Sequence, residues 1–129
     1  MELSPEHNRV SGAIVNSAFA VHQALGPGLL ESVYEQCLAQ EFETRGLAFA
    51  RQVALPVVYR DRRLDAGFRL DLVVENLVVI EVKAAERLLP IHDAQLLTYL
   101  KLSGFQLGLL INFNVPLIRS GIKRLVRST

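Results

Sequence analysis

The stretch that most constrains this chain is residues 68–84, FRLDLVVENLVVIEVKA, which reads as two apolar strands joined by a short polar turn. Three charged side chains, Asp71, Glu81 and Lys83, interrupt its apolar pattern. An isolated charge inside a protein is costly, so buried charged residues are usually paired or bind a metal ion. This hairpin is therefore the first place in the sequence to look for chemistry.

The two acidic residues of the hairpin can meet only in one register. Side chains alternate along a strand, so Glu81 and Lys83 lie on one face of the sheet. Asp71 joins that face if it lies opposite Glu81, which leaves an odd number of loop residues, such as 75–77. A two-residue turn would instead place Asp71 opposite Ile80. We therefore predict a three-residue loop or a bulge.

Carboxylates that meet at close range favour a hard metal ion. Two carboxylates repel each other unless a cation lies between them. Oxygen ligands alone suit Mg²⁺ or Mn²⁺, and the three histidines show no zinc-ligand spacing. Lys83 could orient an attacking water or stabilise charge on a phosphate. The alternative is a surface hairpin in which Glu81 and Lys83 form an ordinary same-face pair.

Two helical segments carry polar residues that could complete a site. Glu31 and Tyr34 are neighbours on the surface of the second predicted helix. Glu31 is either a helix-start charge favoured by the helix dipole or a third metal ligand, bound directly or through water. Gln95 and Tyr99 share a face of the third predicted helix, where Gln95 either holds a water or phosphate or is an ordinary flank residue.

The hydrophobic periodicity predicts a mixed α/β core. The predicted helices are residues 5–25, with Ser4 as N-cap, 29–45 and 91–103. The predicted strands are residues 49–59, 64–74, 77–84, 105–113 and an edge strand at 122–126. The chain has 129 residues and no repeat or linker, so we expect one domain spanning residues 1–129.

Composition indicates a cytoplasmic protein that does not bind membranes. Half of the residues are hydrophobic, and the net charge of +1 predicts no partner. The single cysteine, Cys37, cannot form an internal disulfide, which suits a reducing cytosol, and we expect it to be buried. No apolar run reaches membrane-spanning length, and the N-terminus lacks an apolar signal core.

Taken together, these motifs resemble the GxxExxY proteins, a branch of the PD-(D/E)xK nuclease superfamily. The matching residues are Gly28, Glu31 and Tyr34 for the signature, Arg69-Leu70-Asp71 and Glu81-Val82-Lys83 for the hairpin, and Gln95 to Tyr99 for the QxxxY motif of RecB-type exonucleases. One departure is Leu70, which stands where the superfamily name has proline.

The resemblance implies a restriction-endonuclease-like core, a mixed sheet of about four to five strands flanked by helices. It implies a Mg²⁺ or Mn²⁺ site of Glu31, Asp71, Glu81 and the Val82 carbonyl, with Lys83 as the catalytic cation. The leading hypothesis is metal-dependent hydrolysis of nucleic acid by a metal-activated water, with DNA as the favoured substrate. The alternatives are an inactive nuclease-fold module that binds nucleic acid or protein, as a homodimer or in a larger complex, and a hydrolase of other phosphate esters.

Basic residues near the site are candidates for phosphate contacts, although for each of them a solvated sheet edge is the alternative. They are Arg51, Arg60, Arg62, Arg63, Arg69, Arg119, Lys123, Arg124 and Arg127. We expect Glu35 and Glu41 to be solvated helix charges. For His22 we favour packing at the helix end over a role in the site.

Overall fold

A five-stranded mixed sheet forms the centre of the protein, in a computed structural model that describes residues 3–127. The helices are α1 (Pro5–Leu25), α2 (Glu31–Thr44) and α3 (Pro90–Ser103). The strands are β1 (Phe49–Ala54), β2 (Val57–Tyr59), β3 (Arg62–Leu64), β4 (Arg69–Val74), β5 (Val78–Lys83), β6 (Leu107–Asn112) and β7 (Ile122–Val126). A short 3-10 helix, Ile118–Gly121, precedes β7.

The sheet order is β1-β4-β5-β6-β7, in which only β5 and β6 are parallel. Parallel neighbours need a long crossover, which α3 supplies. The predicted mixed α/β core of four to five strands is therefore confirmed. β7 lies at an edge as predicted, and β6 is buried along its whole length.

Two of the predicted strands are each divided in two. Residues 49–59 form β1 and β2, and residues 64–74 lie partly in β3 and mainly in β4. Pro56 lacks the amide that a continuous ladder would use, and Gly67 adopts a φ of +80° between β3 and β4. β2 and β3 consequently form a separate two-stranded ribbon.

Local chemistry determines the ends of α1. Ser4 caps its N-terminus by accepting the His7 amide, and Pro5 occupies the first turn. Gly26, with a φ of +71°, ends the helix and donates its amide to the His22 carbonyl at 2.7 Å. The boundaries of α1 therefore agree with the prediction, whereas α2 starts at Glu31, two residues after the predicted start.

The core has two layers, one on each face of the sheet. Val78, Ile80 and Val82 of β5 pack in one cluster with buried residues of α1 and α2. Val73 and Val79 pack in the other cluster with Leu96 and Leu100 of α3. We call these the α1–α2 face and the α3 face. Within residues 3–127, no helix is both long and apolar enough to cross a membrane.

Candidate metal and catalytic site

Asp71 and Glu81 project from the α3 face of the sheet. Each lies two residues along its strand from a valine that packs under α3. The register pairs Leu72 with Ile80 and leaves residues 75–77 as the loop. The three-residue loop predicted from the sequence is therefore confirmed, and with it the shared face of the two carboxyl groups.

The Asp71 carboxylate takes the place of a strand-to-strand hydrogen bond. Pairing between β4 and β5 ends at Leu72 and Ile80. Beyond that point Oδ2 of Asp71 accepts the backbone amide of Val82 at 2.8 Å. The Val82 carbonyl points the same way as its amide, because both groups of a strand residue project to one side. The Asp71 carboxylate and the Val82 carbonyl therefore share one side of β5.

Glu81 is a buried carboxyl group with an unsatisfied oxygen. Its side chain is 5% exposed, and Oε1 has no hydrogen-bond partner in the described part of the chain. Burial, and next the charge of Asp71, raise the pKa of Glu81 to about 8, while Lys83 acts in the opposite direction. Without a bound cation, this shift favours the protonated form of Glu81 at pH 7. A buried oxygen without a partner calls for an explanation such as a bound ion.

Lys83 ends β5 on a well-anchored segment. Its carbonyl accepts the Phe113 amide at 3.0 Å, and it pairs with Asn112 in the parallel ladder. The buried Asn112 side chain accepts the Ala85 amide and donates to the Ala85 carbonyl, each at 3.0 Å. Asn112 thus holds the chain that leaves Lys83. Sequence reasoning missed this role, although a polar residue at the end of an apolar strand was its signal.

Helix α3 brings Tyr99 and Gln95 to the acidic pair. Burial, and next the charges of Glu81 and Asp71, raise the pKa of Tyr99, while a side-chain hydrogen bond with Gln95 lowers it. The Tyr99 ring centroid lies 6.1 Å from that of Phe68. Tyr99 also packs against the α3-face cluster that contains Val73 and Val79, the strand neighbours of Asp71 and Glu81, and Gln95 lies one helical turn before Tyr99.

Glu31 is exposed at the first residue of α2. Residues 3–127 contain no group of three or more His, Cys, Asp and Glu side chains that could hold a metal ion, so Glu31 does not form such a group with Asp71 and Glu81. One turn later, Tyr34 stacks on Phe113 with ring centroids 4.4 Å apart. The Phe113 amide donates a hydrogen bond to the Lys83 carbonyl, so this stack links the start of α2 to the end of β5.

Tyr34 of the signature has a structural role. Its side chain is fully buried, and its hydroxyl donates to the Gly26 carbonyl at 2.6 Å and accepts the Leu29 amide at 3.1 Å. These two bonds fix the turn between α1 and α2. Tyr34 of the signature therefore holds the turn from which the second helix begins.

The prediction that Glu35 is solvated is wrong. Its carboxylate is buried and accepts hydrogen bonds from Nε of Arg51 at 3.0 Å and from Nε2 of Gln52 at 2.8 Å. Gln52 has a φ of +50° and interrupts the β1–β4 pairing between Arg51 and Val53. At that interruption Gln52 lies opposite Asp71 in the register. The Glu35 cluster, Glu35, Arg51 and Gln52, thus supports strained backbone beside the acidic pair.

Glu35→Ala should lower the free energy of unfolding by about 2 kcal/mol, because Arg51 and Gln52 then lose the buried carboxylate that accepts their hydrogen bonds. Glu41 offers a matched control on the same helix, where it forms a surface ion pair with Arg45. Glu41→Ala should change stability by about 0.5 kcal/mol or less. Urea unfolding of both variants checks this, and equal losses would contradict the role of the Glu35 cluster.

Other predicted positions have local structural roles. Nε2 of His22 bonds the Val115 carbonyl at 2.8 Å, which agrees with packing at the helix end. Cys37 is half-buried at the edge of the core, and not fully buried as predicted. In the tail, Arg124 donates to Asn8 and Ser11, Arg127 donates to backbone carbonyls, and Lys123 pairs with Asp93.

Comparison with known protein families agrees with this arrangement. A model of the PD-(D/E)XK nuclease superfamily matches residues 8–125, which reach from α1 into β7. The comparison with curated proteins gave no match, and neither did the comparison with solved structures. The family match and the mixed sheet between helices together confirm the predicted restriction-endonuclease-like fold.

Proposed function

Because the chain belongs to the PD-(D/E)XK nuclease superfamily, we propose that it is a metal-dependent nuclease that hydrolyses nucleic acid, with DNA as the favoured substrate. The observation that carries the proposal is the acidic pair, Asp71 and Glu81, with its buried and unsatisfied oxygen. We assign the chain to the GxxExxY branch, as one domain over residues 1–129. Its setting is the cytoplasm, where a lone thiol stays reduced.

PD-(D/E)XK nucleases usually use divalent metal ions. The donors available here, two carboxyl groups and a backbone carbonyl, are the oxygen ligands that Mg²⁺ and Mn²⁺ prefer. Asp71, Glu81 and the Val82 carbonyl would hold the ion, and the exposed Glu31 would join through water. A bound ion of this kind polarises a phosphate and lowers the pKa of a water molecule.

The residues around the pair divide the remaining work. Glu81 would have to be ionised to serve as a ligand, because a ligating carboxylate carries no proton. Lys83 places a positive charge on the same face of β5, where it orients the attacking water or stabilises the phosphate charge. Gln95 hydrogen-bonds that water or a phosphate oxygen, and Tyr99 keeps Gln95 in position.

The proposal is tested with purified protein, Mn²⁺ or Mg²⁺, and linear, nicked and single-stranded DNA and RNA as substrates. We expect cleavage that requires the metal and is stopped by a chelator. Calorimetry should show Mn²⁺ uptake that Asp71→Asn weakens by about tenfold or more, because that change removes a charged ligand. Cleavage without added metal, or Mn²⁺ uptake unchanged in Asp71→Asn, would contradict the proposal.

The same experiment separates the second candidate, a nuclease-fold module without catalysis. Such a module has no need for an ion between Asp71 and Glu81. Calorimetry that shows no Mn²⁺ uptake by the wild-type protein, together with nucleic-acid binding that is indifferent to metal, would favour the module.

A further inference from the structure

The ribbon formed by β2 and β3 stands apart from the rest of the fold. Among the described residues, its strands, Val57–Tyr59 and Arg62–Leu64, pair only with each other. Val58 and Tyr59 are about 60% exposed, at 59% and 62%, and all of β3 is exposed. A lone two-stranded hairpin is marginally stable in water. A protein that keeps one on its surface gains little stability from it, which points to a binding role.

The turn at the tip of the ribbon has an arginine, Arg60, at a position whose positive φ strains the backbone. Arg60 and Asp61 form its two-residue turn with φ values of +48° and +66°. Asn-Gly or Asp-Gly is the usual choice where both residues need positive φ, since other side chains are strained there. The Arg60 guanidinium lies 5.5 Å above the Tyr59 ring centroid. The turn therefore presents a charged and an aromatic side chain together.

The ribbon also carries basic side chains that the fold does not use. Arg60, Arg62 and Arg63 are exposed. Within residues 3–127 their one ion pair joins Arg63 to Asp65 at 3.4 Å, which is a surface contact of little strength. By contrast, Lys123, Arg124 and Arg127 of the tail are engaged in contacts within the fold. Three exposed arginines are thus close together on the ribbon, while other exposed candidates, such as Arg69 and Arg119, lie singly along the chain.

The base of the ribbon adjoins the acidic pair. Phe68 follows β3, its carbonyl accepts the Leu55 amide at 2.9 Å, and its ring faces Tyr99. Phe68 also directly precedes β4, whose third residue is Asp71, and Tyr99 packs against the α3-face cluster that contains Val73 and Val79. A polymer that contacts the base of the ribbon therefore lies close to the carboxyl groups.

We infer that this ribbon enters the major groove of duplex DNA beside the bond that the proposed nuclease cuts, so the inference rests on the proposed function. The major groove of B-DNA admits a two-stranded β-ribbon. The major groove of A-form RNA is too deep and narrow for side chains to enter. The exposed arginines supply the charge that phosphates require. The ribbon therefore selects double-stranded DNA over double-stranded RNA.

The test compares two triple variants that remove the same charge. The ribbon variant is Arg60→Ala, Arg62→Ala, Arg63→Ala. The control is Arg9→Ala, Arg45→Ala, Lys101→Ala, at exposed positions on α1, at the C-cap of α2 and on α3. Both are made with Asp71→Asn, so that binding is measured without cleavage. Fluorescence anisotropy with labelled duplex DNA, duplex RNA and single-stranded DNA is recorded over a range of salt concentrations. Circular dichroism checks that both variants fold.

We expect the ribbon variant to bind duplex DNA about tenfold or more weakly, with a salt slope smaller by about 0.9 for each arginine that contacts a phosphate. Its weak binding to duplex RNA should change little, and the control should bind duplex DNA like the parent. Equal losses in the two variants, or equal losses on all three nucleic acids, would overturn the inference.

Cleavage assays separate this inference from the proposed function. A protein that cuts no nucleic acid, but whose ribbon variant loses duplex DNA binding, would refute the nuclease and support the ribbon. A protein that cuts duplex DNA equally well with and without the ribbon arginines would refute the ribbon and support the nuclease.

Discussion

Glu81→Gln is expected to reduce metal-dependent cleavage by about a thousandfold or more, while making the protein more stable above neutral pH. Glutamine keeps the shape of the side chain but cannot ionise, so it supplies no charged ligand to the ion that supports the chemistry. The same change removes the cost of ionising a carboxyl group that is 5% exposed. Both the loss of activity and the gain of stability should therefore follow from replacing one carboxylate oxygen of Glu81 by an amide nitrogen.

The gain in stability has a defined pH range. The folded pKa of Glu81, about 8, lies above its ordinary value of 4.5, so the folded protein holds this proton more tightly than the unfolded chain. The protonated Glu81 side chain makes its full contribution to the free energy of unfolding below about pH 4.5. That contribution is lost as the pH rises through about 8. At pH 9 the difference between glutamine and glutamate should be on the order of 5 kcal/mol. At pH 5 it should fall to about 1 kcal/mol.

Urea unfolding at pH 5, 7 and 9 without divalent ions measures this difference. Glu43→Gln, at an exposed position of α2, is the matched control and should follow the wild type at each pH. Wild-type protein whose stability falls no faster than that of Glu81→Gln between pH 5 and 9 would show that the buried carboxyl is not penalised. Cleavage retained by Glu81→Gln would remove Glu81 from the metal site.

Gly121→Ala should lower the free energy of unfolding by about 3 kcal/mol or more, because inserting atoms into close-packed backbone is strongly destabilising. A Cβ atom at residue 121 would lie 2.1 Å from the Asn112 backbone oxygen and 3.1 Å from Cγ2 of Val115. The nearer neighbour is backbone, which cannot rotate away as a side chain does. The 3-10 helix would have to move off the end of β6.

Gly12→Ala is the matched control, because nothing lies within 4 Å of a Cβ at this exposed helical position. Alanine there should stabilise the protein by about 0.5 to 1 kcal/mol. Denaturant unfolding compares the two variants. In Gly121→Ala the displaced Asn112 should also loosen the segment after Lys83, and Mn²⁺ binding should weaken. Equal stability of the two variants would contradict the close approach of residues 112 and 121.

The sequence predicted those parts of the fold that depend on local rules. The capping residues and periodicity around Ser4 and Gly26 determine the ends of α1. Alternation along two strands, with an odd loop at residues 75–77, was enough to place Asp71 and Glu81 on one face. These predictions need only neighbours in the chain or one strand pairing, and the side-chain period of a strand leaves no freedom once the register is chosen.

Features that depend on distant contacts escaped prediction. Glu35 looked like a solvated helix charge because its partners, Arg51 and Gln52, lie in a strand that no helical pattern reveals. The ribbon looked like the ends of two longer strands, since the break at Pro56 and Gly67 matters only once β1 and β4 are paired. Spacing alone also cannot say how close Glu31 comes to carboxyl groups on other elements.

The bond between Asp71 and the Val82 amide bears on how the sequence can vary. Its donor is backbone, so the bond survives any substitution at residue 82, other than proline, that still packs in the core. The acceptor has no such freedom, because glutamate at residue 71 would overshoot the amide by one methylene. Related chains should therefore tolerate exchange among aliphatic residues at 82 and at the buried Leu70. A change of side-chain length at residue 71 would instead break the hydrogen bond to the Val82 amide.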